Sequence, residues 1–136
     1  MASKLNYAIA LQQAQHAATT AAIGAGGKLY LFSGTQPADT TGADGTLVAG
    51  PFTLGSPFAA AASAAFPSVL SPTLPANVNA SASAQPTWYR VKTSADVVVM
   101  DGSAGVSGCD MTVGPATSGQ PVAITAWTIT NGNSGH

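Results

Sequence analysis

TWYRVKTSADVVVM, residues 87–100, alternates Thr87, Tyr89 and Val91 with Trp88 and Arg90, so successive side chains point to opposite faces of a strand. A short polar link from Thr93 to Asp96 then precedes the apolar run Val97, Val98, Val99 and Met100. Two such runs joined by so few polar residues predict a β-hairpin.

The same pattern extends outward from that hairpin. Val122, Ile124, Ala126 and Thr128 alternate with Ala123, Thr125, Trp127 and Ile129, and both sets are largely apolar, as expected of an inner strand of a sandwich. Residues 29–32, 47–54, 73–82, 87–93, 96–100, 110–113 and 122–130 all read as strands, nearly all separated by turn-forming residues. Seven or eight short strands with long links predict an all-β fold, a jelly-roll-like β-sandwich in preference to an immunoglobulin-like one. Pro57, Pro67, Pro72 and Pro75 fall within the Pro/Ala-rich segment 51–86, so any strand there belongs at an edge or a bulge, where no ladder donor is needed.

One N-terminal α-helix precedes the sandwich. Residues 4–23 contain no Gly or Pro, are rich in Ala and Gln, and follow Ser3, a candidate N-cap. Leu5, Ile9, Gln12, His16 and Ile23 form one stripe at helical spacing, and Tyr7, Leu11, Ala14, Ala18 and Ala22 form another, so the helix has two sides for two neighbours. Gly24, Gly26 and Gly27 then stop the helix and form a hinge that would let it leave the body. The expected division is a helix with its hinge over 1–27 and a β-sandwich domain over 28–136.

Composition narrows the function. Of 136 residues 46% are hydrophobic, but only 7% are charged, against roughly 25% in average soluble domains. The formal net charge is -1, so copies repel one another weakly and self-association is easy. Lys4, Lys28, Arg90 and Lys92 are too few cations to displace the counterions of a nucleic-acid backbone. No run approaches the roughly 20 apolar residues of a membrane helix, and Gln12, Gln13, Gln15 and His16 interrupt any signal-peptide core. Cys109 is the only cysteine, so no internal disulfide forms, which is compatible with folding in a reducing cytoplasm.

The residues that carry chemistry are scarce. The chain has no Glu, and a catalytic triad would have to take His16 or His136 as its base, so an enzyme is not expected. Asp39 and Asp44 flank one loop and Asp101 and Asp110 another; turn capping is preferred to calcium binding for both. No cofactor or metal is expected. Gly102, Gly105 and Gly108 recur every third residue, yet no helix follows to hold a phosphate, and a bulged or tightly turning loop fits better. Trp88, Tyr89 and Trp127 would suit a sugar platform, although core packing is the stronger reading. Cys109 has no basic neighbour in sequence to activate it and reads as a packed loop residue. Arg90, the sole arginine, suits a forked ion pair, within the domain or between subunits.

The chain also carries a set of short motifs: LYLFSGTQP at 29–37, Gly45-Thr46-Leu47, Thr87-Trp88-Tyr89-Arg90, Asp101-Gly102-Ser103-Ala104-Gly105, Asp110-Met111 and Trp127-Thr128-Ile129-Thr130. In these it resembles small virion proteins of tailed phages and prophages, and the resemblance covers nearly the whole chain. It departs from that pattern at Pro86 and at Ser94-Ala95-Asp96, a hairpin link without glycine.

Some such proteins are similar to capsid cement or decoration proteins with jelly-roll-like domains, which sit on the head shell as dimers or trimers. The resemblance therefore implies a structural protein of the capsid surface, made in the bacterial host cytoplasm. Its partners would be the major capsid protein and further copies of itself. Leu5, Tyr7, Ile9 and Leu11 on the helix, with Arg90, are the candidate subunit contacts. A neck, tail or fibre protein is the alternative within the virion, and a glycan-binding β-sandwich module is the alternative of another class.

Overall fold

A computed structural model describes residues 8–55, 57–60, 62–64 and 69–130. Among these, one helix, α1 (Ile9–Ile23), precedes ten strands. They are β1 (Lys28–Ser33), β2 (Thr46–Thr53), β3 (Val69–Leu70), β4 (Val78–Asn79), β5 (Trp88–Lys92), β6 (Val98–Gly105), β7 (Met111–Val113), β8 (Pro121–Val122), β9 (Ile124–Trp127) and β10 (Ile129–Thr130). The body is all-β with a single N-terminal helix, as the alternation predicts.

Six strands form the main sheet in the order β2-β1-β5-β6-β7-β9, and β10-β3 and β4-β8 form two small ribbons. The predicted hairpin is β5 and β6, paired antiparallel with Arg90 opposite Asp101. Asp96 closes its turn with φ 64, the left-handed region where the missing glycine would have cost nothing. Asp96 is held there by Lys28 Nζ, 3.3 Å from both carboxylate oxygens, and by the Tyr30 hydroxyl at 3.1 Å.

β6 runs through to Gly105, so residues 101–105 are strand where a glycine-rich loop was expected. Gly102 is there because Tyr89 lies on it: a Cβ at position 102 would collide with the Tyr89 ring. The expected strand 73–82 shrinks to β4 and a bridge from Ala80 to Ala49, with prolines and exposed residues before it. Pro51 lies in β2, at an edge of the main sheet, where a missing N–H is tolerated.

The run 122–130 is not one inner strand. It divides into β8, β9 and β10, which pair with β4, β7 and β3 respectively, and β9 lies at the other edge of the main sheet. A register shift between Thr112 and Val113 breaks the alternation, so Thr125 and Ala126 are both exposed between buried Ile124 and Trp127.

The inner face of the sheet supplies the core. Leu29, Leu31, Tyr89, Val91, Met111 and Val113 meet Phe58 and Leu70 from the proline-rich segment and Ile23 from α1. Phe58 and Tyr89 both meet Trp127 edge-on, with ring centroids 5.2 Å apart in each pair.

The glycine hinge folds α1 back onto the body rather than releasing it. Gly24, at φ 66, ends the helix and returns its N–H to Thr20 O at 3.2 Å. Gln12, His16 and Ile23 are buried and Ile9 is half-buried, whereas Leu11, Ala14, Ala18 and Ala22 are exposed. The first of the two predicted stripes therefore faces the body; of the second, Leu11, Ala18 and Ala22 face outward, while Ala14 lines a cleft beside the helix. Gln13 Nε2 ties the helix down through Ala62 O at 3.1 Å.

Candidate functional site

Among the described residues, the outer face of the main sheet gathers Lys28, Arg90, Lys92 and their carboxylate partners Asp44, Asp96 and Asp101. Because side chains alternate along a strand, the residues beside core members Leu29, Tyr89 and Val91 point the other way. Lys28, Tyr30 and Phe32 on β1 thus lie beside Lys92, Arg90 and Trp88 on β5, position for position.

Arg90 is the centre of this face. Its side chain is only 2% exposed, and so is held by four bonds: Nε to Asp101 Oδ1 at 2.7 Å, Nη2 to Asp101 Oδ2 at 2.9 Å, and Nη1 to both Gly42 O and Asp44 Oδ1 at 2.8 Å. Hydrogen bonding to Asp101, against the cost of burial, raises the guanidinium further above its already high pKa. Lys92 Nζ takes the other Asp44 oxygen at 3.0 Å and lies 5.0 Å from the Tyr30 ring centre. Partial burial opposes ionisation of Asp44, but the Lys92 and Arg90 bonds outweigh it and hold that carboxyl below the usual range. Lys28 and then Tyr30 do the same for Asp96.

The assignment of Arg90 as a subunit contact is corrected by this geometry. Of the two ion pairs the sequence allowed, the one formed lies within the domain, and almost no guanidinium surface is left for a neighbour. The aromatic platform fails in the same way. Trp88, Tyr89 and Trp127 are all buried, with Trp88 between Phe32, 4.5 Å away between ring centres, and the Arg90 guanidinium at 5.2 Å. The glycan reading thereby loses its residues.

The other candidates settle into structural roles. Asp39 accepts the N–H and the hydroxyl of Thr41, which cap its turn and lower its pKa. Asp110 and Ser103 exchange bonds, Asp110 N–H to Ser103 Oγ at 3.0 Å and Ser103 N–H to Asp110 Oδ2 at 3.3 Å. Cys109 packs over Gly105 and its Sγ lies 3.4 Å from Ser107 O. His16 is buried on the inner side of α1. Among the described residues, no three His, Cys, Asp or Glu side chains gather in one place.

Of the helical contact candidates, Leu5 and Tyr7 lie outside the described residues, as does Ser3. Ile9 is half-buried, and Leu11 is 45% exposed on the outer stripe. Between α1 and the body a cleft of about 540 Å³ is lined mainly by Ala10, Ala14, Ala17, Ala59, Ala62 and Leu70, with no titratable side chain on its walls. Such a cleft offers shape and apolar contact, with the Gln13 amide and the Thr20 hydroxyl as its polar side chains and no acid or base beside them.

Comparison with family models, with curated proteins and with solved structures finds no match. Among the described residues, no helix is long and apolar enough to cross a membrane.

Proposed function

We propose that this chain is a structural protein of a phage virion, a capsid cement or decoration protein that binds the major capsid protein at the shell surface as a dimer or trimer. Its curled sheet with two ribbons is then a variant of the jelly-roll-like sandwich.

One observation carries the reading. Every Lys, Arg and Asp among the described residues is engaged within its own chain: Lys28 with Asp96, Arg90 with Asp101 and Asp44, Lys92 with Asp44, Asp39 with Thr41 and Asp110 with Ser103. The outward stripe of α1, from Leu11 to Ala22, carries no charge at all. Burying an uncharged surface against a neighbour avoids the desolvation penalty that ionic groups impose. Each contact is weak, and symmetry multiplies it over the shell. A clamp that binds only assembled capsomers raises the cost of separating them, as any ligand selective for one state does.

The test compares shells with and without the protein under heat and low salt. Shells that lose capsomers earlier without it support the proposal, and equal survival overturns it. Counting copies per particle separates the head shell from the neck, tail or fibre, where copies are few.

A further inference from the structure

Residues 34–45, which connect β1 to β2, lie over the outer face of the sheet. Four ties hold them to β5 and its approach. The Thr87 hydroxyl donates to Gly34 O at 2.6 Å, Arg90 Nη1 donates to Gly42 O and to Asp44 Oδ1, and Lys92 Nζ donates to Asp44 Oδ2. Elsewhere the segment is held by itself: Gly42 N–H bonds to Asp39 O at 3.2 Å, and Pro37 packs where a Cβ on Gly42 would stand. No residue of 34–45 lies in a strand or in the main core.

Beneath it lies a small aromatic shelf. Phe32 and Trp88 are stacked and buried, yet neither belongs to the main core, and the Gly45 backbone packs against the Trp88 indole. Trp88 Nε1 is buried there with no acceptor.

We propose that residues 34–45 form a strap that opens as a unit from the Phe32 and Trp88 shelf while the sheet stays intact, with the Asp44 carboxylate as its latch. Segments with few buried apolar contacts and few ladder bonds open locally, well below the free energy of global unfolding. Opening also lets water bond the Trp88 N–H, which has no partner when the strap is closed, and this lowers the cost of opening. Arg90 does not move with the strap, because its Nε and Nη2 remain forked on Asp101. The post is fixed and the strap moves.

The latch is ionic and half exposed, the Asp44 side chain being 46% accessible. Arg90 and Lys92 from β5 and Tyr30 from β1 are the charged and titratable groups that face it, with Asp101 behind Arg90. Salt therefore weakens it by screening. The strap decides whether the aromatic shelf is hidden or presented, and it does so in the isolated chain, whatever particle the chain belongs to.

The test is hydrogen exchange of the full chain by NMR, with protection factors for the Trp88 indole N–H and for the Val91 amide in the central strand β5. The expected result is a Trp88 indole at least about tenfold less protected than the Val91 amide. In Asp44→Asn, or in wild type at high salt, Trp88 protection should fall by a further factor of about three to five, the scale of an exposed ion pair, and Val91 protection by no more than that factor, because the latch stabilises only the closed state. Equal protection of the two protons in the wild type overturns the strap. An unchanged Trp88 rate in both Asp44→Asn and high salt overturns the latch, and a wild-type Trp88 rate that rises with low urea as steeply as that of Val91, a sign of global opening, overturns the strap.

Discussion

Arg90 and Asp101 stand directly opposite each other in the β5 and β6 register and are joined by two parallel bonds of 2.7 and 2.9 Å. A fork of this kind adds geometry to charge, because the planar guanidinium matches both carboxylate oxygens at once. Asp101 is 5% exposed and Asp44 46%, so the two carboxylates on the same arginine differ in what their loss costs.

Asp101→Asn is expected to destabilise the fold by about 3 kcal/mol, because it removes the buried carboxylate of the fork and leaves only the half-exposed Asp44 to balance the buried guanidinium. Asp44→Asn should cost under about 1 kcal/mol, the range of exposed ion pairs. Urea denaturation of the two variants checks this, and the reverse order would sink the account of the buried fork. Arg90→Lys should fall nearer to Asp101→Asn, since one ammonium cannot hold Asp101 by a fork and reach Gly42 O as well.

Gly102→Ala is expected to cost about 1–3 kcal/mol through forced displacement of the Tyr89 ring. Gly114, where a Cβ meets nothing within 4 Å, is the control. Its Ala variant should stay within about 0.5 kcal/mol of wild type. Thermal melts of both suffice, and equal effects would contradict the close approach of Tyr89.

Asp96→Gly and Asp96→Ala separate backbone strain from side-chain bonding. Both lose the Lys28 and Tyr30 partners, but only Ala also bears the left-handed backbone, at about 1 kcal/mol. Ala should therefore be the less stable of the two by that amount in denaturant titration, and parity would mean that the turn has another conformation.

The carboxyls of Asp39, Asp44 and Asp96 all lie below their ordinary value of 3.8 in the folded chain. A depressed folded pKa contributes stability that is present above the unfolded value and is lost as pH falls through the folded one. The melting temperature is expected to hold from neutral pH to about pH 5 and to fall below about pH 4. At the alkaline end, burial raises the Tyr89 phenol, so stability is expected to decline above pH 10, its ordinary value. Circular dichroism melts across pH 2 to 11 read both limbs, and a flat acid limb would contradict the ion-pair assignments.

Leu11→Lys places a charge in the middle of the outward stripe of α1. It should leave the melting temperature nearly unchanged, because surface substitutions away from special features rarely exceed about 0.5 kcal/mol, and should weaken retention on purified particles. Full retention would remove that stripe from the contact surface.

Local periodicity made much of this legible. The hairpin of β5 and β6 follows from the alternation over 87–92 and the short polar link, and the end of α1 follows from a Gly-free, Pro-free run that stops at Gly24, although α1 starts at Ile9 after the non-helical Ala8 and not at residue 4. The burial of Trp88, Tyr89 and Trp127 was legible as the stronger of two readings. The split of 122–130 among three partners was not, because alternation records that a residue has two faces and not which strand lies beside it. Nor could the helix sequence choose between its two stripes: Gln12 and His16 turn inward although both are polar, and Leu11 turns outward although it is apolar.

The sequence by itself determined the class of the fold and the poverty of ionisable chemistry, since both depend on residue types and spacings within a few neighbours. Only the tertiary structure decided that Arg90 reaches 46 residues back to Asp44, that the glycine hinge folds α1 onto the body, and that residues 34–45 are tied back to Thr87, Arg90 and Lys92 with Gly45 against Trp88. Those arrangements rest on packing between segments far apart in the chain, and the energy of such contacts is set by which surfaces meet.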